Sequence, residues 1–457
     1  MKLSPQTFLQ IIQDAKCVGL RNVEDFDILN IAHLKRFESF SPQSKILYFA
    51  VYEDDPEKFG WYNKPFDRTL NIQKLGVYEN FVFVVDDRIS DEQLIGIRYI
   101  RVDNIYHAIE RICRHVVLQV NPQVIGVTGS VGKTTGTALI QGVLDKKFSC
   151  GRIYSKRLTP LTLSSWLVNF LEPEHQVLTL EYSMYRKNHI DILTDILRPD
   201  ISVFMNIKRV HLGVQGINTL DDIVDGKRAL VDKSRVALLN IDDTRISRLK
   251  RKGDFGFSLS NQRADAFVSI AGDEAMLVLN YTNQTLRFAP YIKTSLFYYQ
   301  AVVAGLLGAY LGVPADSIAE ALGNFRPAEN RINWLDIFGQ QVLFDGDVTT
   351  SGRMSSLSEH HYSTSLLMIH SFDFGEENVD LQVDDFNQVF SKFDEVRVLD
   401  TEKNRTVVSR HSFRNIIFTQ KNDFLSDLSK FEFKVLHFAI YFRKHKDLSF
   451  LNEFIAA

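Results

Sequence analysis

The ten residues from Gly126 to Thr135, GVTGSVGKTT, limit what this chain can fold into more than any other stretch. They follow the apolar run Val124 to Val127 and precede a helix-like segment, so they read as a strand, a tight loop and the first turn of a helix. Gly129 and Gly132 let backbone N–H groups approach phosphate oxygens, the following helix directs its positive end at them, and Lys133 offsets the phosphate charge. The Thr134 hydroxyl suits Mg²⁺, and Ser130 and Thr135 complete a loop expected to cradle a nucleotide. The general pattern GxxxxGK[ST] begins with glycine, whereas here that position is Val127.

The surrounding sequence carries the matching rhythm. Candidate strands at Val124 to Val127, Val177 to Glu181, Ile201 to Asn206 and Val236 to Asn240 alternate with helix-like stretches after Lys133, from His189 to Leu197 and from Leu220 to Asp232. That is the pattern of a parallel sheet with crossover helices. Before it, ILYFAVY, FVFVVD and a closing helix near Tyr106 to Val117 form a separate mixed unit. After FRPAENR, Phe325 to Arg331, a second α/β rhythm begins with QVLFD, LLMIH, VRVLD, IIF and VLHFAIYF. At 457 residues the chain has room for two to four domains. The expectation is an α/β protein of three domains: a smaller α/β domain over 1–118, a central nucleotide-binding domain with a doubly wound parallel sheet over 119–328, and a Rossmann-like α/β domain over 329–457.

Composition removes several function classes. With 53 basic and 56 acidic residues the net charge is -3, too balanced for a protein that works by neutralising nucleic-acid backbone. Cys17, Cys113 and Cys150 are odd in number and far apart, which indicates neither a disulfide framework nor a zinc site and fits a reducing cytoplasm. The opening MKLSPQTFLQ lacks the apolar core of a secretory signal. No charge occurs between Lys293 and Asp316, a length that could span a bilayer. Yet Thr294, Ser295, Tyr298, Tyr299, Gln300, Tyr310 and Pro314 interrupt it, and Ala304, Gly305 and Gly308 suit a helix packed on a sheet, so a buried helix and no membrane insertion are expected. Oligomeric state leaves no mark.

The TG-S-V-GKTT form of the loop resembles that of the Mur ligases, ATP-dependent amide-forming enzymes of cell-wall synthesis, and three further blocks stand in the family's order. Thr159 to Thr162, TPLT, resembles a segment of the branch that adds D-alanyl-D-alanine. Leu180 to Leu212, LEYSMYRKNHIDILTDILRPDISVFMNIKRVHL, is similar to the family stretch with Glu at a strand end, Arg/Lys-Pro-Asp before the next strand, and Asn-Ile ahead of a His. Asp222 to Leu230, DIVDGKRAL, resembles the segment carrying the family's modified lysine, here Lys227.

The resemblance implies ATP and Mg²⁺ at the central domain, with Lys133, Lys227 and His211 as the catalytic set and Thr134, Glu181, His211 and a carbamylated Lys227 around the metals. Taken alone, a His after a strand is more often a hydrogen-bonded structural residue, and a Lys more often a solvated one. Asn240 and Asp243, in LNIDD, resemble the segment near adenine and ribose; the residues themselves equally read as a strand end and a helix cap. Gln300 alone keeps an amide where the family has His-Asn-x-x-Asn, Arg331 matches the Gly-Arg at the third domain's entrance, and Asp345 stands where the family has paired Asp. The N-terminal Ser/Thr-Arg segment for a uridine diphosphate is missing, IHSFDFG replaces Gly-Asp-Met-x-Glu-Leu-Gly, and Arg443 to Lys446, RKHK, replaces Lys-Gly-Ser-Arg as a candidate carboxylate holder or a solvated turn. The clusters Arg245 to Lys252 and His360-His361 read as surface features.

The first reading is therefore an ATP-dependent ligase. It activates the carboxylate of a small molecule or sugar-nucleotide as an acyl phosphate and joins it to an amino acid or peptide amine, on a sugar-linked or cell-surface precursor. Two rivals keep less of the pattern: a P-loop ATPase or small-molecule kinase, and a catalytically silent relative that binds a partner.

Overall fold

A computed structural model describes residues 4–20, 26–31, 43–52, 67–152, 158–328, 331–359, 362–375 and 377–439. RKHK and His360-His361 lie outside them. The chain packs as two compact units, one of 1–125, 148–183 and 190–200, the other of 126–147, 184–189 and 201–457.

The first unit holds a five-stranded sheet in the order Lys16–Val18, Tyr99–Arg101, Phe81–Val85, Ile46–Phe49, Ile28–Asn30. The first pair is antiparallel and the rest parallel. Ile46–Phe49 and Phe81–Val85 are buried at every residue, which is why they read as unbroken apolar runs rather than alternating ones. The helix Ile105–Val120 starts at Asn104, whose side chain accepts the N–H groups of Tyr106 and His107, and stops at Asn121 in left-handed conformation. TPLT opens the helix Pro160–Phe170 as a reciprocal cap between Thr159 and Thr162. Asn169 on that helix exchanges two 2.9 Å hydrogen bonds with the Leu29 backbone. Cys150–Arg152 and Val177–Glu181 pair in parallel.

The strand Gln123–Thr128 passes from the first unit into the second. There the sheet order is Gln284–Phe288, Glu274–Leu279, Ala266–Ala271, Phe255–Ser258, Val236–Asn240, Ile201–Phe204, Gln123–Thr128. The pairings that link Ala266–Ala271, Phe255–Ser258, Val236–Asn240 and Ile201–Phe204 are parallel. The antiparallel edge from Ala266 to Phe288 was not anticipated by sequence. Its strands alternate in burial, unlike the continuous apolar runs beside them, and Gly272 at φ 63° makes the first turn.

The uncharged run forms the helix Ser295–Tyr310, buried on nearly every side. A Cβ on Gly305 would come within 2.1 Å of Leu277 and one on Gly308 within 2.5 Å of Val143, so both positions are closed to larger residues by the hairpin and by the helix Lys133–Leu144. Among the described residues no helix is long and apolar enough to cross a membrane. A six-stranded sheet completes the second unit: Asn333–Ile337, Gln340–Asp345, Phe433–Phe438, Ser365–Ser371, Glu395–Leu399, Ile417–Thr419. Only its first pair is antiparallel. The α/β class, with three sheets built mostly of parallel strands, is as expected.

Candidate active site

The phosphate-type loop is clamped from beneath. Asn206, two residues beyond Ile201–Phe204, accepts the N–H groups of Ser130 and Val131 on Oδ1 at 3.1 and 3.0 Å and donates from Nδ2 to the Val131 carbonyl at 3.0 Å. The Ser130 hydroxyl donates to the Lys208 carbonyl at 3.1 Å and accepts the Lys208 N–H at 2.9 Å. Gln300, buried on the helix Ser295–Tyr310, donates to the Gly132 carbonyl at 2.9 Å. Gly132 sits at φ 78°, and a Cβ there would lie 2.7 Å from the Gln300 amide and from Leu296. Ser130 and Gln300 thus shape the loop. The first turn of Lys133–Leu144, with Lys133, Thr134 and Thr135, keeps backbone N–H groups that no helical carbonyl can reach. Lys133 folds over the loop, its Nζ 3.3 Å from the Ser130 carbonyl.

Lys227 is not a solvated lysine. The helix Leu220–Lys233, started by a reciprocal cap between Thr219 and Asp222, carries it inward to 3% exposure, where Nζ donates to the Gly129 carbonyl at 3.1 Å. The adjacent Gly226 has no room for a side chain, since a Cβ would meet the Met184 sulfur at 2.3 Å. His211 adopts a left-handed φ of 63°. Its ring Nδ1 is 3.0 Å from Glu377 Oε1 and its backbone N–H donates to Glu377 Oε2 at 2.8 Å. Burial alone would raise the Glu377 pKa, but the bonds and charge of His211 hold it below the ordinary carboxylate value. Tyr185 lies between His211 and His189, with ring centroids 5.3 and 5.7 Å away. Burial, then the charges of Arg186 and Lys227, push the His189 imidazole down to about 4.

A second cluster reaches the loop from the C-terminal sheet. The buried Arg331 donates from Nη2 to the Thr134 hydroxyl at 3.1 Å and from Nη1 to Asp347. Arg353 joins Asp347 at 3.0 Å and grips both oxygens of Asp345 through Nε at 2.7 and 2.9 Å. Asp345 is fully buried and also meets His437 Nδ1 at 3.1 Å. Against burial, Arg353 and His437 hold the Asp345 carboxyl far below its usual range, and Arg331 and Arg353 bring Asp347 to about 2. The structure therefore brings Arg331 to the loop and walls Asp345 in.

The other candidates have structural partners. Asn240 donates to the Met205 carbonyl at 2.8 Å and accepts the Asp242 N–H at 3.0 Å, and Asp243 caps the short helix Thr244–Ser247. Glu181 belongs to the first unit, ends its strand, and accepts the Ser183 hydroxyl at 3.0 Å. Sequence reasoning missed Glu377, Asp347, Arg353 and His189. The DGD spacing of LFDGDVTT was a signal for Asp347; the others are joined to the site only through the fold. Among the described residues no three or more His, Cys, Asp and Glu side chains gather as a metal site. The residues fit a hard Mg²⁺ that shares its ligands with substrate phosphates, as Mg²⁺ commonly does, rather than one in an all-protein cage.

Residues 127–287 match the Mur ligase middle domain. The UDP-N-acetylmuramoyl-tripeptide–D-alanyl-D-alanine ligase of Bacillus subtilis is 25% identical over 244 residues, covering 51% of this chain and 51% of that protein. The UDP-N-acetylmuramoylalanine–D-glutamate ligase of Mycobacterium avium is 27% identical over 217 residues, covering 45% of this chain and 40% of that one. The chain thus spans about half the length of the curated relatives it matches. In fold, MurF from Acinetobacter baumannii superposes with a TM-score of 0.75 at 15% identity over 100% of this chain and 99% of that one. MurF from Thermotoga maritima, in complex with ADP, does so with a TM-score of 0.70 at 16% identity over 90% and 95%.

Proposed function

We propose that this chain, which carries a Mur ligase middle domain within the fold of the three-domain Mur ligases, is an ATP-dependent ligase that joins a substrate carboxylate to an amino acid or peptide amine. The observation that carries the reading is Lys227, buried and bonded to the Gly129 carbonyl of the phosphate loop. A plain P-loop ATPase or kinase has no need of a second lysine beneath its loop.

In the first step a carboxylate oxygen attacks the γ-phosphorus of ATP, the bond to the β-phosphate oxygen breaks, and ADP leaves. In the second the amine nitrogen attacks the acyl carbon, the bond to phosphate breaks, and the nitrogen loses a proton. Lys133 and the first-turn N–H groups of Lys133–Leu144 hold the phosphates in line, and the Asn206, Gln300 and Lys208 clamps fix the loop before substrate arrives. Thr134 and His211 would hold a Mg²⁺ that arrives with the nucleotide, and the ion would lower the repulsion between carboxylate and triphosphate. A carbamate on Lys227 would add an anionic ligand for it. Arg331, which donates to the Thr134 hydroxyl, would present its guanidinium to phosphate oxygen, a role that suits it. The relatives named above act on muramoyl precursors, and a precursor-linked carboxylate is the substrate class we assign here, in a cytoplasmic step of envelope synthesis.

ADP and phosphate should appear only when acceptor and amine are both supplied, in a screen of acidic sugar nucleotides against amino acids and dipeptides. Steady hydrolysis indifferent to both would overturn the ligase reading, and a stable phosphorylated acceptor formed without amine would make the protein a kinase. A silent binding protein is the second reading, favoured by the Thr134 hydroxyl being held by Arg331 and by Asp345 being enclosed. It requires ATP affinity that Mg²⁺ does not raise.

A further inference from the structure

Glu377 stands far along the chain from His211, yet it receives two hydrogen bonds from it, the backbone N–H at 2.8 Å on Oε2 and ring Nδ1 at 3.0 Å on Oε1. The carboxylate is 4% exposed. Gln382 donates to its Oε2 at 2.8 Å and in turn accepts the Ser351 hydroxyl at 2.7 Å, so a buried chain of polar groups anchors it in the C-terminal part of the unit. Packing adds an independent constraint: a Cβ on Gly213 would strike Asn378 at 2.7 Å and Leu381 at 2.8 Å, so the segment after His211 is pressed onto the segment after Glu377. Together these hold His211 in a left-handed backbone conformation that non-glycine residues seldom adopt.

An ionised carboxylate only accepts, so the ring must donate from Nδ1, and whenever the ring is neutral its lone pair lies on Nε2. We infer that Glu377 is a positioning residue: it locks His211 in the Nδ1-protonated tautomer and leaves Nε2 as the nitrogen that takes the divalent cation entering with the nucleotide. An imidazole whose other N–H is held by a carboxylate is fixed in plane and is a stronger ligand. The inference rests on His211 being a metal ligand, as proposed above. It adds that the C-terminal part of the chain completes the cation site through the back of that ring.

Two measurements on the full chain test it. In nitrogen-15 NMR of histidine-labelled protein without nucleotide, the His211 signals, identified by their loss in His211→Ala, should show a protonated Nδ1 and an unprotonated Nε2, and Glu377→Ala should erase that preference. In electron-spin titrations, Mn²⁺ binding to the ADP complex should weaken about 10- to 100-fold in Glu377→Ala, while metal-free ADP binding stays unchanged. If Glu377→Ala does not fold, Glu377→Asp, one methylene shorter, cannot keep both bonds to His211 and should show the same two changes in smaller degree. A His211 tautomer and Mn²⁺ affinity that persist in these variants would overturn the inference. Unaltered Mn²⁺ affinity in His211→Ala would overturn it too, by removing His211 from the cation site, while leaving the ligase reading to its own product assay.

Discussion

Lys227 shows how far a single residue could be read from sequence. Its place in DGKRAL and the resemblance pointed to it, and the structure removes the ordinary alternative by burying its Nζ against the Gly129 carbonyl. Lys227→Ala should abolish turnover while most ATP binding remains. Excess acetate should restore part of the activity if the working group is a carbamate anion, whereas small amines should do so if it is the ammonium itself. Full activity in the variant would remove Lys227 from the chemistry. Glu377 and Arg353 were not legible in this way. Each acts through a partner supplied by the fold, Glu377 through His211 and Arg353 through Asp345 and Asp347, and a lone acidic or basic residue in sequence carries no sign of such a partner. Asn240 and Asp243 were legible twice over, as nucleotide contacts by resemblance and as a strand end and a cap by chemistry, and the structure supplies hydrogen bonds for the second.

At the scale of elements, sequence was most informative where burial was continuous. Gln123–Thr128, Val177–Glu181 and Val236–Asn240 match their apolar runs nearly residue for residue, because parallel strands covered on both faces leave no polar alternation. The strands of 266–288 escaped because one face is solvated, which dilutes the same signal with polar residues. The strand–loop–helix junction was legible because its glycines have geometric work. Gly132→Ala places a side chain at φ 78° and within 2.7 Å of Gln300 and Leu296. Left-handed strain of about 1–3 kcal/mol and the displaced Gln300 clamp should lower the thermal midpoint and weaken ATP binding together. Gly323→Ala offers a control, since that helical glycine has open space around it and alanine is the better helix former by about 1 kcal/mol; its midpoint should hold or rise with ATP binding intact. Equal behaviour of the two variants in thermal melts and nucleotide titrations would refute the account of the loop.

At the scale of the molecule, the second unit keeps some titratable groups neutral and others charged, and acid should therefore weaken it in two stages. Burial and nearby cations bring the imidazoles of His189 and His370 to about 4, against an ordinary value of 6.5. Between pH 6.5 and 4 the unfolded chain takes up protons that the folded chain refuses, so stability falls as pH falls through that window, by up to about 3 kcal/mol for each imidazole. Below it the carboxylates dominate. Asp347, held at about 2 by Arg331 and Arg353, contributes stability that is present above its ordinary value near 3.8 and is lost as pH drops toward 2. His370 separates the two stages, because its ring stacks on Phe438 with centroids 3.7 Å apart and planes 15° from parallel. His370→Phe keeps a flat ring at that position and removes the proton. Urea midpoints at pH 7.5, 6.5, 5.5, 4.5, 3.5 and 3.0 should fall steadily for the wild type and less steeply for His370→Phe down to pH 4.5, with the curves converging in slope below pH 4, where Asp345 and Asp347 govern both. A wild-type midpoint that is flat from pH 6.5 to 4.5 would mean that neither imidazole is held neutral by the fold. A variant as steep as the wild type would assign the whole effect to His189, and with it to the cluster around Lys227.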